Sequence, residues 1–119
     1  MKERFLPIGT VVLLKGAKKE LMITSYCVFP TGTQIQKDGT ETEAKKTIYE
    51  YGGCTYPEGI VEANVIHAFN HEDIDKILHM GYETDQYKEF TGILNGGYDI
   101  YKEKYMKEND VLKVANETL

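Results

Sequence analysis

Two apolar segments near the N-terminus predict a β-hairpin. Thr10–Lys15 and Leu21–Phe29 are rich in Val, Leu, Ile, Thr and Tyr, and the polar residues Gly16–Lys19 separate them. The apolar positions are nearly continuous rather than alternating, which is typical of strands that are covered on both faces. Residues 6–29 therefore predict two strands of a small curved barrel or of a sheet covered by a helix.

The middle of the chain predicts a loop and two more strands. Residues 30–47 indicate a long exposed loop, in which Thr33–Gln36 alternates enough for a short edge strand. Ile48–Tyr56 predicts the next strand, and its glycine pair at positions 52 and 53 indicates a bulge or a bend. Pro57–Gly59 then predicts a turn, and Val65–Phe69 predicts a further strand.

Helical signals begin after residue 69. Asn70 is a good N-cap, acidic side chains follow it, and Ile74, Ile77 and Leu78 have helical spacing. These residues predict a short helix or a single turn.

The last third predicts one or two longer helices. Thr84 can cap a first helix, which Asn95–Gly97 would end, and a second helix would run to about residue 110. The apolar positions at helical spacing are Tyr87, Phe90 and Leu94 in the first helix and Tyr98, Tyr101 and Tyr105 in the second.

Together these elements predict an α+β fold. We expect a small curved antiparallel sheet or partly open barrel of about five strands, with one or two C-terminal helices. Residues 1–119 form a single domain in this interpretation, with a mainly β core at 6–83, a helical part at 84–110 and a tail at 111–119.

Composition and charge narrow the classes of function. The chain has 119 residues, of which 41% are hydrophobic, so one real core is expected and full disorder is excluded. Its longest apolar run is far below the ~20 residues of a membrane span. Residues 48–83 carry seven acidic side chains and one basic one, which argues against binding nucleic acid or an anionic membrane surface. With no leader apparent, cytoplasmic residence is expected.

No set of residues predicts catalysis, a cofactor or a metal. His67 and His71 have the four-residue spacing of helical metal ligands, but an N-cap at Asn70 would leave His67 outside the helix. Nucleophile-elbow and phosphate-loop motifs are absent, and the single serine is Ser25. Cys27 and Cys54 lie among apolar neighbours and are predicted to be packed thiols. We therefore expect a protein that is not an enzyme.

Tyrosine is the over-represented residue, with nine copies against four phenylalanines and no tryptophan. Tyr49 and Tyr51 point to the same face of their predicted strand. Two interpretations stay open: the rings pack with their hydroxyls in water, or they form an aromatic recognition surface. The candidate partner-binding residues are Tyr49, Tyr51, Tyr56, Pro57, Glu58 and Tyr82.

Four blocks of this sequence resemble one protein family. They are Leu6–Gly16, Lys19–Ile23, Tyr49–Gly59 and Phe69–Ile74 with Gly81-Tyr82 behind it. Over about residues 6–94 the chain resembles the family catalogued as domain of unknown function 4176, which is found in Gram-positive bacteria. Members are often encoded in type VII secretion loci, near toxins that carry the helical LXG targeting domain.

The resemblance implies an accessory role: a small cytosolic adaptor, or targeting chaperone, that binds the toxin's N-terminal domain and helps to present it for export. Its partners would be the LXG toxin and other small accessory proteins of the locus. An immunity protein that neutralises a neighbouring toxin is the alternative, and an enzyme with an unrecognised site is a third reading. An unguarded sheet edge could also pair with a second copy and give a homodimer.

Overall fold

The protein folds into an open five-stranded antiparallel sheet with one long helix and a separate two-stranded ribbon. The structure is a computed structural model that describes residues 3–29, 33–35, 41–43, 47–62 and 66–118, with the ribbon and the helix beyond Tyr105 described as backbone only. The elements are β1 (Val11–Leu14), β2 (Leu21–Val28), β3 (Thr33–Ile35), β4 (Glu41–Glu43), β5 (Tyr49–Thr55), β6 (His67–Phe69), β7 (Ile74–His79) and α1 (Asp85–Thr118).

The order of the sheet is β6-β5-β2-β1-β7, so β6 and β7 are its edges. The predicted hairpin is confirmed, because β1 pairs antiparallel with β2 and Val11 lies opposite Met22. The main core contains the buried side chains of Leu6, Val12, Leu21, Ile23, Tyr51, Phe69 and Ile74. The α+β prediction is therefore confirmed, and the sheet does not close into a barrel.

The predicted irregularity at the glycine pair is present. Ile23 pairs with Gly53 and Ser25 pairs with Gly52, so Thr24 is the extra residue and the bulge lies on β2. A Cβ on Gly53 would stand 2.7 Å from the carbonyl oxygen of Met22. Glycine therefore lets the two backbones approach closely at this position.

The region after Asn70 confirms the predicted single turn and corrects the predicted short helix. A single 3-10 turn forms at His71–Asp73, closed by the Asn70 N–H donating to Asp73 Oδ2 at 2.8 Å. Residues 74–79 then form strand β7 rather than a helix. Ile74 is fully buried and pairs with Leu14. Sheet pairing and burial decide the conformation here, because helical spacing over so few residues is a weak signal.

The C-terminal region corrects a second prediction. Helix α1 runs without a break through Asn95–Gly97 and includes residues 111–118, which were predicted to form a tail. Each glycine in a helix interior costs only about 1 kcal/mol. Half-buried Leu94 and buried Tyr98 anchor the helix on either side of the glycine pair, so tertiary contacts carry the helix through it.

Part of the predicted loop at 30–47 can be compared with the structure. The edge strand expected at Thr33–Gln36 is confirmed for residues 33–35, which pair with β4 so that Gln34 lies opposite Thr42. The rest of the predicted loop, apart from β4 and Thr47, lies outside the described residues, as does Val65 of the predicted 65–69 strand.

Candidate protein-binding surface

Tyrosine hydroxyls hold the segment that precedes β1 between the sheet and α1. Phe5 and Leu6 are buried, yet all four of their backbone polar groups have partners. Tyr51 Oη accepts hydrogen bonds from Phe5 N at 2.7 Å and from Leu6 N at 3.0 Å. Tyr87 Oη donates to Phe5 O at 2.7 Å, and Tyr26 Oη donates to Leu6 O. These tyrosine hydroxyls therefore take the place of the neighbouring strand that usually pairs buried backbone N–H and C=O groups.

Tyr51 is therefore a core residue and not part of an exposed recognition surface, which corrects its place among the candidate partner-binding residues. Its side chain is fully buried, and burial raises its pKa to about 12. Its oxygen already accepts two N–H groups, so its own proton points to His71 Nδ1, which lies 2.8 Å away. The sequence offered no sign that this ring would bind backbone from a distant segment.

Arg4 joins α1 to the sheet. Its Nε donates to Asn95 Oδ1 at 2.7 Å, and its two terminal nitrogens bond both carboxylate oxygens of Asp99 at 3.0 and 3.1 Å. One terminal nitrogen of Arg4 also donates to Glu50 Oε2 at 3.0 Å. The other carboxylate oxygen of buried Glu50, Oε1, accepts the backbone N–H of His71 at 2.8 Å. The guanidinium holds the pKa of Asp99 below its usual range. In the sequence, the signal for this cluster is the charged residue Glu50, which lies between Tyr49 and Tyr51 in a predicted strand.

Three of the candidate partner-binding residues lie together on the turn after β5. Tyr56, Pro57 and Glu58 are exposed. The Tyr56 N–H donates to Glu20 O at 3.0 Å, and Glu58 forms an exposed ion pair with Lys19 at 2.7 Å. This turn therefore sits beside the β1–β2 turn, at the C-terminal end of β1.

Tyr82 lies at the other end of β1. Its side chain is 85% exposed, and the neighbouring Gly81 N–H donates to Thr10 Oγ1 at 3.0 Å. Tyr49 is half-buried at the start of β5. The structure thus separates the predicted site into a turn around Tyr56, the half-buried Tyr49, the core residue Tyr51 and the exposed ring of Tyr82.

Around Tyr82 the structure forms an aromatic groove that sequence reasoning missed. It has a volume of ≈ 310 Å³ and is lined by Ile8, Tyr26, Tyr82, Tyr87, Phe90 and Thr91. We call it the Tyr82 groove. Phe90 is 55% exposed and Ile8 is 50% exposed, so large apolar side chains form its rim. Exposed apolar groups gathered in one concavity are typical of binding sites.

A larger cavity of ≈ 560 Å³ lies between the N-terminal segment and the start of α1. Its charged lining has both signs and consists of Arg4, Lys88, Glu3 and Glu83. Arg4 is already engaged with α1 and with the sheet.

The two cysteines are free thiols that pack among other residues. Cys54 is buried and Cys27 is half-buried, as predicted. Burial raises the pKa of Cys27, which favours the protonated thiol. Across the described ranges no three His, Cys, Asp or Glu residues are grouped for a metal ion, and no helix there is long and apolar enough to span a membrane.

Fold and surface together define a small α+β domain with an exposed aromatic groove. A family profile described as "Domain of unknown function (DUF4176)" matches residues 5–90, and the chain belongs to this family. The match contains strands β1 to β7 and ends six residues into α1. No curated protein and no solved structure matches the chain.

Proposed function

We propose that this protein is a non-enzymatic adaptor that binds the helical N-terminal domain of an LXG-type toxin. In this proposal it acts in the cytoplasm of a Gram-positive bacterium, together with other small accessory proteins, and assists export by a type VII secretion system. The Tyr82 groove carries the proposal. Membership of the family supports it through the role that the sequence resemblance implies.

The chemistry of the groove suits a helix as the partner. Tyr82, Phe90 and Ile8 give an apolar, mostly aromatic rim, and such residues are enriched at the centres of protein interfaces. An amphipathic helix can place its apolar side chains in a groove of this kind. Tyrosine at the rim adds contact area while its hydroxyl stays in water.

The walls of the groove are held in place before any partner binds. Tyr26 and Tyr87 line it, and their hydroxyls are bonded to the backbone of Leu6 and Phe5. A rigid wall lowers the entropy that binding must overcome. The family match spans Ile8, Tyr26, Tyr82, Tyr87 and Phe90, so these wall and rim positions belong to the family domain rather than to the helical extension beyond it.

The test is a binding measurement with the separated halves of a toxin encoded beside this protein. We expect the helical N-terminal domain to bind in calorimetry and the C-terminal domain not to bind. Tyr82→Ala should weaken binding about tenfold or more, because a central interface aromatic is worth roughly 1–2 kcal/mol or more. Tyr56→Ala is the matched control, since it removes an exposed ring at the opposite end of β1 and should have no effect.

Other results would contradict the proposal in distinct ways. Binding of the C-terminal half alone would indicate an immunity protein. Weakening by Tyr56→Ala with no effect of Tyr82→Ala would move the partner site to the turn after β5. Circular dichroism of each variant verifies that the fold is retained.

A further inference from the structure

A second apolar surface lies along the exposed side of α1, and two of its residues, Ile93 and Gly97, also line a cavity that reaches Cys27 of β2. Ile93 and Ile100 are 77% and 71% exposed, and Gly96 and Gly97 lie between them. Cβ atoms built on either glycine would meet nothing within 4 Å. At 100° per residue these four positions fall within an arc of about 100°.

This surface has charged residues at its two ends and none in its middle. Residues 90–98 include no charged side chain, whereas exposed Glu89 precedes them and exposed Lys104 follows. Glu89 and Lys104 fall in the same arc of the helix as the two isoleucines. We call the set Glu89, Ile93, Gly96, Gly97, Ile100 and Lys104 the outward face of α1.

We infer that a second copy of this chain covers the outward face of α1, in an antiparallel helix pair that crosses at Gly96 and Gly97. The order of residues along the face is the reason for this assignment. With a two-fold axis between the two glycines, Ile93 of one copy lies level with Ile100 of the other. Glu89 then lies level with Lys104, and symmetry makes every contact occur twice.

Charge selects the antiparallel arrangement over the parallel one. A parallel in-register pair would bring Glu89 beside Glu89 and Lys104 beside Lys104, and like charges at an interface are destabilising. The antiparallel pair makes two attractive pairs instead. The glycines at the crossing point place no Cβ between the two backbones, so the helices can approach closely there.

The expected dimer is reversible. A single helix pair buries less area than the ~1,600 Å² of a standard interface, so dissociation in the micromolar range is expected. The outward face does not include the Tyr82 groove, so this inference does not depend on the proposed function. A dimer would leave the Tyr82 groove of each copy open.

The test is sedimentation of the full chain over about 1 µM to 1 mM, a range that brackets interfaces of this size. The wild-type protein should change from monomer to dimer with rising concentration. Glu89→Lys and Lys104→Glu should each raise the dissociation constant about tenfold or more, because each single variant creates two like-charge pairs. Lys18→Glu, on the exposed turn between β1 and β2, is the matched control and should dimerise like the wild type.

Mixing the two variants gives the sharpest result. A heterodimer of Glu89→Lys with Lys104→Glu has two attractive pairs, one in the original sense and one reversed, so an equimolar mixture should regain wild-type dimerisation. A wild type that is monomeric throughout, or a mixture that stays monomeric, would overturn the inference. Dimers that persist in both variants would place the interface elsewhere, such as at a sheet edge. Lys104→Glu should still bind the toxin domain. A failure of the dimer inference can therefore be distinguished from a failure of the proposed function.

Discussion

At the scale of single residues, four of the nine tyrosines bind backbone groups through their hydroxyls. Tyr26, Tyr51 and Tyr87 bind the backbone of Phe5 and Leu6, and Tyr98 Oη donates to Ile48 O at 3.3 Å. The sequence left two interpretations open, wet hydroxyls or a recognition surface. Neither describes these four rings, because hydrogen bonds between residues far apart in the chain leave no periodic trace in the sequence.

We predict that Tyr51→Phe destabilises the fold although it removes a single oxygen atom. The change leaves the N–H groups of Phe5 and Leu6 buried without an acceptor, and each such donor costs about 1–3 kcal/mol. The free energy of unfolding, measured with a chemical denaturant, should fall by roughly 2–6 kcal/mol. Tyr82→Phe is the control, since its hydroxyl lies on an exposed ring, and it should match the wild type. Equal stability of the two variants would show that water replaces the Tyr51 oxygen.

At the scale of secondary structure elements, glycine has opposite roles in β5 and α1. In β5 the glycine pair faces a bulge, where a Cβ on Gly53 would meet the backbone of Met22 at 2.7 Å. In α1, Gly96 and Gly97 are exposed and were predicted to end the helix. The role of a glycine therefore depends on whether another backbone segment packs against it, which the sequence does not show.

We predict opposite effects for the same substitution at these two kinds of site. Gly53→Ala should lower the free energy of unfolding by about 1–3 kcal/mol, because the added methyl overpacks a rigid backbone contact. Gly92→Ala should raise it by about 0.5–1 kcal/mol, since alanine is the better helix former and its Cβ meets nothing within 4 Å. Denaturant titrations of both variants test this. A stabilising Gly53→Ala would show that β2 and β5 can separate slightly at no cost.

Most of the elements follow from local patterns, and the exceptions have one physical cause. β1, β2, β5, β6 and the start of α1 agree with apolar runs, turn residues and a cap. Strand β7 and the continuation of α1 do not, because pairing with β1 and packing around Tyr98 override weak local preferences.

At the scale of the whole molecule, the candidate site depends on segments that are distant in sequence. Tyr82 was a candidate partner-binding residue on the basis of its residue type. The Tyr82 groove was not, because Ile8 and Phe90 come together only when the N-terminal segment lies against α1. Arg4 makes that arrangement possible by linking Asn95 and Asp99 of the helix to Glu50 of β5.

We therefore predict that Arg4→Met loosens α1 from the sheet while keeping most of the volume of the side-chain stem. Asn95 and Asp99 lose their bonds to the N-terminal segment, and buried Glu50 loses its cation, so local opening of the helix becomes easier. Hydrogen exchange should show amides of α1 around residues 91–99 losing about tenfold or more of their protection, while those of β2 change less. Lys19→Met is the matched control, because it removes a cation from the exposed pair with Glu58 and should leave both unchanged. Uniform loss of protection across sheet and helix would mean that α1 and the sheet open only together, so that Arg4 supports the global fold rather than the attachment of the helix.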